Sequence, residues 1–233
     1  MGCPYASVHL VMAAMAMSLR VVVPPHPLIA HWLTVARDVH TPSPLFATAM
    51  TELGRWLTYE AVRDWLPQQT VRVTTPLAET EGTVIDGTVP LLVIPVLRGG
   101  LGLWQGGQTV LPAARVAHVG LDTGEPAVRW YLDDLPAHLE DRLGILVFLP
   151  LLASGRTLIA LMERLQKLGA TGKRLRVVTA LAAAPGLREV GEQIADLTIY
   201  CGCIDAELDA LGQVKPGFGD ATQRLYGNPA PLI

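Results

Sequence analysis

From residue 20 onward, short apolar runs alternate with longer stretches whose apolar positions recur every three or four residues. "HPLIAHWLTVARD" puts Leu28, Trp32, Val35 and Ala36 on one stripe at helical spacing. "LFATAMTELGRWLTYEAVRDWL" continues in the same way, so two helices are predicted between residues 28 and 66. Pro42 and Pro44 separate them and Pro67 ends the second. "VRVTTPLAETEGTVID" reads as an edge strand or hairpin. "PLLVIPV" is an apolar run that meets Arg98 and two glycines before a helix start. "ARVAHVGLD" is a second buried strand, "AVRWYLDDLP" part of a hairpin or flap, and "RLGILVFLP" a third strand. The helix "RTLIALMERLQKLGA", the strand "RLRVVTALAAAP", the helix "GLREVGEQIA" and a fifth strand, "DLTIYCGCID", follow. Apolar strands alternating with amphipathic helices predict an α/β, doubly wound, mostly parallel sheet. It is preceded by a helical segment and carries a flap hairpin, all in one domain over residues 21–233. Ligands in such sheets sit at the carboxyl ends of the strands. Three loops follow strands in that sense: "LRGGLG", "LPLLASGRT" and "KPGFGDATQR".

Composition narrows the classes. Half of the 233 residues are apolar and 17% are charged, ample for a core. The net charge of −3 argues against broad nucleic-acid binding, which needs a basic face. Three cysteines, Cys3, Cys201 and Cys203, cannot all pair within the chain. Cys201 and Cys203 have no partner pair at zinc-knuckle spacing, so the expectation is reduced thiols in a cytoplasmic protein.

Residues 1–20 read as an extension, with Met17 as an alternative start. The apolar run His9–Met17 has no basic residue before it and is too short to span a bilayer. Ala6 stands where a myristoylation signal wants Ser or Thr. No membrane association is expected.

The loops suggest anion chemistry. In "ASGRT", Gly155 permits close backbone approach, Ser154 and Thr157 bring hydroxyls, and the following helix aims free N–H groups at an anion. A strand-to-helix turn of this composition also serves simply as a helix cap. Arg98, ahead of Gly99, Gly100 and Gly102, can meet a diphosphate through its planar fork or face solvent. "QVKPGFGDATQR" either exposes backbone groups for reading a flat ring or makes an ordinary turn.

Taken together and in order, "HPLIAHWLTVARD", "LTYEAVRD", "PVLRGGLG", "LPAARVAHVG", "LLASGRT", "AAAPGL" and "VKPGFGDATQRLYG" resemble the uracil phosphoribosyltransferase family over roughly nine-tenths of the chain. The resemblance implies the type I phosphoribosyltransferase α/β fold and transfer of phosphoribosyl from phosphoribosyl pyrophosphate to uracil. UMP and pyrophosphate are the implied products, in cytoplasmic pyrimidine salvage. It also implies magnesium on the pyrophosphate, a homodimer or higher homo-oligomer, and GTP as an effector of some members. The metal ligands are not assigned.

By position, Arg98 and Gly99 fall at the pyrophosphate contact. Leu149, Pro150, Leu151, Leu152, Ala153, Ser154, Gly155, Arg156 and Thr157 fall in the phosphoribosyl loop. Val214, Gly219, Asp220 and Ala221 fall in the uracil segment. Asp220 also falls near the phosphoribosyl substrate, and with Arg98 carries the catalytic assignment.

The chain departs from the family pattern at several of these places. Leu149 stands for the acid that would bind the ribose hydroxyls, and Arg156 for the second glycine of the loop. Thr123 and its neighbours replace a segment that carries a second pyrophosphate arginine. Asp134 stands for a lysine and Gln223 for an acid. Each lost charge-assisted contact would cost about 1.5–3 kcal/mol. These departures leave open an alternative, a catalytically impaired relative that binds a nucleotide or phosphate as a sensor or regulatory subunit. If the ribose contact limits turnover, Leu149→Asp is expected to raise activity.

Overall fold

The structure is a computed structural model and describes residues 19–124 and 128–227; residues 1–18 of the extension, which include the alternative start, lie outside the described residues. The elements in order are β1 (Arg20–Val22), α1 (Pro27–Arg37), α2 (Ser43–Val62), β2 (Gln68–Thr74), β3 (Glu79–Ile85), β4 (Leu91–Pro95) and α3 (Gly100–Val110). After these come β5 (Arg115–Val116), β6 (Val119–Asp122), β7 (Arg129–Asp133), β8 (Gly144–Leu152), α4 (Arg156–Lys167), β9 (Leu175–Ala183) and α5 (Ala184–Gln193). The chain closes with β10 (Thr198–Cys201), β11 (Ile204–Asp205), β12 (Glu207–Leu208), β13 (Val214–Lys215) and α6 (Ala221–Tyr226).

A parallel sheet runs in the order β1-β10-β9-β8-β4-β5, with β11 continuing beside β9. Burial divides along its two faces. On one, Phe46, Met50, Leu53 and Leu57 of α2 and Leu103 of α3 pack on Leu146, Phe148 and Val178. On the other, Leu158, Leu161 and Leu165 of α4 and Val190 of α5 pack on Ile145, Val147 and Val177. The sheet is therefore doubly wound, as the alternating pattern predicts.

Several local expectations are corrected. In α1 the inward stripe is Ile29, Leu33 and Ala36, whereas Leu28 is exposed and Trp32 and Val35 are half-buried. Pro44 lies in the first turn of α2, where its missing N–H leaves no intrahelical bond unmade. That helix ends at Val62, short of Pro67. "ARVAHVGLD" is divided: β5 joins the main sheet, and β6 leaves it to pair antiparallel with β7 as the flap. "VRVTTPLAETEGTVID" is the hairpin β2–β3, a sheet of its own. "DLTIYCGCID" is likewise two strands, interrupted at Gly202.

The topology fixes where a ligand can sit. From β4 the chain crosses by α3, on one face, to the outer strand β5. From β8 it crosses by α4, on the opposite face, to β9 in the other direction. Adjacent strands whose connections diverge leave a crevice beyond their carboxyl ends, and here it lies between β4 and β8.

Candidate active site

The turn after β4 forms one wall. Val96 N donates to Phe148 O at 3.0 Å, tying the turn to β8. The Leu97–Arg98 peptide is cis. Gly99 caps α3. A Cβ built on Gly100 would stand 2.5 Å from Phe148 O, so the start of α3 lies directly on the strand. A Cβ on Gly99 would stand 2.7 Å from Pro150 Cγ and 3.4 Å from Thr222 Oγ1. The three loops singled out in the sequence therefore meet at Gly99.

Arg98 is held from behind. Its guanidinium carbon lies 5.9 Å from the centre of the Tyr226 ring, and the Tyr226 hydroxyl donates to Arg98 O at 3.4 Å. Burial lifts the Tyr226 phenol above its ordinary range, with Arg98 opposing the shift. From the flap, the Tyr131 hydroxyl donates to Leu97 O at 3.2 Å. A Cβ on Gly120 would come within 2.1 Å of the Tyr131 ring, so the bare backbone at Gly120 is what lets that ring lie across it.

The second wall is shorter than expected. Leu149, Pro150, Leu151 and Leu152 are strand, with Leu149 opposite Thr179 and Leu151 opposite Leu181. Leu149 is 3% exposed and belongs to the apolar cluster under α4. Pairing to β4 stops at Phe148. Pro150 thus follows the last residue that needs a donor on that side, which is how a proline fits here. The turn itself is Ala153, Ser154 and Gly155. Gly155 adopts φ +85° as the cap of α4, and a Cβ there would come within 2.9 Å of Gly186 O and of Val190. Beyond it the first-turn amides of α4, at Arg156 and Thr157, point out of the helix end as anion donors. Arg156 is exposed at that end.

The third wall is the C-terminal turn. Val214 is buried in β13, and a Cβ on Gly217 (φ +56°) would stand 2.1 Å from Val214 O. Gly219 has φ +76°. Asp220 caps α6, its Oδ1 accepting from Thr222 N at 2.7 Å and Gln223 N at 3.1 Å; Ala221 behind it is buried. One carboxylate oxygen of Asp220 is therefore engaged in capping.

Sequence reasoning missed the groups that hold this turn. Arg37, the last residue of α1, makes a forked pair with buried Asp205 (2.6 and 2.9 Å) and donates to Gly217 O at 2.9 Å. Gly217 N donates to Asp205 Oδ2 at 2.9 Å. Burial works against the Arg37 charge, but the hydrogen bonds and attraction of Asp205 outweigh it, so its pKa is raised. Arg224 donates to Phe218 O at 3.0 Å, Asp38 O at 2.8 Å and Ala36 O, with its guanidinium 4.1 Å above the Phe46 ring. A lone arginine at a helix end and a lone aspartate at the end of a strand gave no signal in sequence that they would meet.

On the flap, Arg129 pairs loosely with Asp122 at 3.6 Å, both largely exposed. Among the described residues no group of three or more His, Cys, Asp or Glu side chains could hold a metal. The donor set does not fit a resident magnesium site. What converges at the crevice is an arginine fork, a helix N-terminus and a turn of exposed backbone. That arrangement suits a ligand with two anionic ends and a flat ring.

Residues 23–228 match the family described as uracil phosphoribosyltransferase. The uracil phosphoribosyltransferase of Synechococcus elongatus is 48% identical over 217 residues, covering 92% of this chain and 100% of that protein. That of Nostoc sp. is 45% identical over 215 residues, covering 91% and 100%. A solved structure of a protein from Aquifex aeolicus superposes with a TM-score of 0.80 at 30% identity, covering 89% of this chain and 98% of the other.

Proposed function

The chain belongs to the uracil phosphoribosyltransferase family, and from that premise we propose that it transfers the phosphoribosyl group of phosphoribosyl pyrophosphate to a ring nitrogen of uracil, releasing pyrophosphate and UMP. The observation that carries the reading is the meeting of Gly99, Pro150 and Thr222, which gathers the three loops around one crevice at the switch point.

Departure of pyrophosphate leaves positive charge on the sugar, so the site must hold the leaving anion without neutralising it early. Arg98 presents its fork to the diphosphate, and the Tyr226 ring behind it limits the directions it can take. The amides of Arg156 and Thr157 receive the 5′-phosphate at the other end of the sugar. Val214, Gly219, Asp220 and Ala221 offer backbone groups to the pyrimidine edge. Holding the ring in line with the sugar carbon converts a bimolecular encounter into an oriented one. Magnesium would come with the diphosphate as part of the substrate and supply charge neutralisation there; among the described residues no group of three or more His, Cys, Asp or Glu side chains offers it a cage.

Leu149 is buried beneath α4 and brings no carboxylate to the ribose, so in this reading the diphosphate and phosphate contacts carry the binding of the sugar. The same reading assigns the reaction to the cytoplasm and to a homodimer or higher homo-oligomer. No helix among the described residues is long and apolar enough to cross a membrane.

The test is UMP formation from uracil, phosphoribosyl pyrophosphate and magnesium. Product is expected with the parent chain and a strong loss with Arg98→Ala. Folded parent protein with no product above a heat-treated control overturns the proposal.

A further inference from the structure

The turn Pro216–Asp220 has little packing of its own. Both of its glycines, Gly217 and Gly219, have positive φ, and Phe218 alone sends a buried ring inward, edge-on to Phe46 at 5.7 Å. A turn so rich in glycine loses much backbone freedom when fixed. Its shape is held by two arginines that reach it across the carboxyl end of α1. Arg37 donates to Gly217 O while Asp205 accepts from Gly217 N, so both backbone polar groups of Gly217 are gripped by one ion pair. Arg224 donates to Phe218 O together with the carbonyls of Ala36, in α1, and of Asp38, just past its end.

We propose that Arg37, Asp205 and Arg224 are positioning residues for base recognition: they turn the Gly217 and Phe218 carbonyls away from the crevice and so determine which backbone groups face the pyrimidine. With those two carbonyls occupied, Gly219, Asp220 and Val214 remain to meet the ring. The ion pair is 168 residues apart in sequence and Asp205 is 6% exposed, so its geometry is fixed by α1 and β11 and does not depend on the ligand. Loss of the fork frees the turn to sample orientations in which the wrong groups point at the base, and affinity for the base falls by the competent fraction. The phosphate and diphosphate contacts come from other loops and are left in place. The inference rests on the assignment of residues 214–221 to uracil.

The experiment uses Asp205→Asn, Arg37→Lys and Arg224→Lys in the full chain. It reads KM for uracil, KM for phosphoribosyl pyrophosphate, and hydrogen exchange of the peptide covering residues 214–220 against one from β9. In Asp205→Asn, KM for uracil is expected to rise about tenfold or more while that for phosphoribosyl pyrophosphate stays within about twofold. Exchange in 214–220 accelerates and that in β9 does not. Arg37→Lys keeps the charge but not the fork, and falls between parent and Asp205→Asn.

An unchanged uracil KM, or a parallel rise in both KM values, overturns the positioning role, as does unaltered exchange in 214–220. Should Asp205→Asn fail to fold, the two lysine variants give the same comparison. A parent chain that makes no UMP sinks the proposed function instead, and exchange in 214–220 still decides whether the clamp holds the turn.

Discussion

Gly99 and Pro150 meet so closely that a methyl group on the one would overlap the ring of the other, 2.7 Å from Cγ. Neither side can yield easily. Pro150 is fixed in β8, and the neighbouring Gly100 already lies against Phe148 O. Gly99→Ala is therefore expected to push the Arg98 turn away from the α4 amides. A displacement near 1 Å in a site of this kind can cost about a hundredfold in rate. Steady-state kinetics should find kcat/KM for phosphoribosyl pyrophosphate down by roughly that factor, with the denaturation midpoint little changed.

Arg98→Lys keeps a positive charge but offers one ammonium in place of a planar fork, and it loses the flat face set against Tyr226. Loss of one charge-assisted contact to the diphosphate, about 1.5–3 kcal/mol, corresponds to a roughly 10- to 150-fold loss of kcat/KM. Inhibition by pyrophosphate should weaken in step, and a product-inhibition assay reads that directly.

The sequence-based expectation for Leu149→Asp reverses. Leu149 is nearly inaccessible and lies among the apolar side chains beneath α4. An aspartate there would bury a carboxyl group without a partner. The variant is expected to lose about 2–4 kcal/mol of stability in denaturant unfolding and to gain no activity.

Cys201 carries a pH prediction. Burial is the main cause that pushes its thiol well above the ordinary range, with Cys203 adding to it. A folded-state pKa above the unfolded one means that, above about pH 8.5, the unfolded chain has released a proton that the folded chain retains. Stability is therefore full below that pH and declines above it, at about 1.4 kcal/mol per pH unit for this group. Comparing urea midpoints of the parent and Cys201→Ala between pH 8 and 10 should show a shallower decline in the variant. Thiol reagents should label Cys201 only after unfolding.

Arg176 offers a contrast, being structural and far from the crevice. It donates to Asp64 Oδ1 at 2.7 Å, to the Tyr200 hydroxyl at 3.0 Å and to Ala61 O, with its guanidinium over the Trp65 ring at 5.1 Å. Arg176→Met should cost about 2 kcal/mol in denaturant unfolding and leave both KM values unaltered.

The strands and the three loops were legible because each is a local signal: an apolar run, then glycine, proline or a capping side chain. The stripe on α1 was misread by one residue. Leu28 falls in the first turn, where the helix end leaves it exposed, and Ile29, Leu33 and Ala36 carry the contact. Strand β1, Arg20–Val22, was not foreseen, because three residues at a sheet edge are too few to establish a period. The strand read as "RLGILVFLP" continues two residues past Pro150, to Leu152; with β4 already finished, no hydrogen-bond donor is needed at the proline. The Arg37–Asp205 pair was invisible for a different reason: nothing local marks two residues so distant in sequence as neighbours.

Helices α2 and α3 touch through bare backbone. A Cβ on Gly54 would stand 1.9 Å from Leu103 O, and one on Gly106 1.7 Å from Thr51 O. A side chain on the outward face of either helix meets only solvent, yet two single hydrogens in the seam decide whether the arginine at the head of α3 stays in its place. A descendant chain that gained even one methyl group there would forfeit its chemistry through a site no substrate ever reaches.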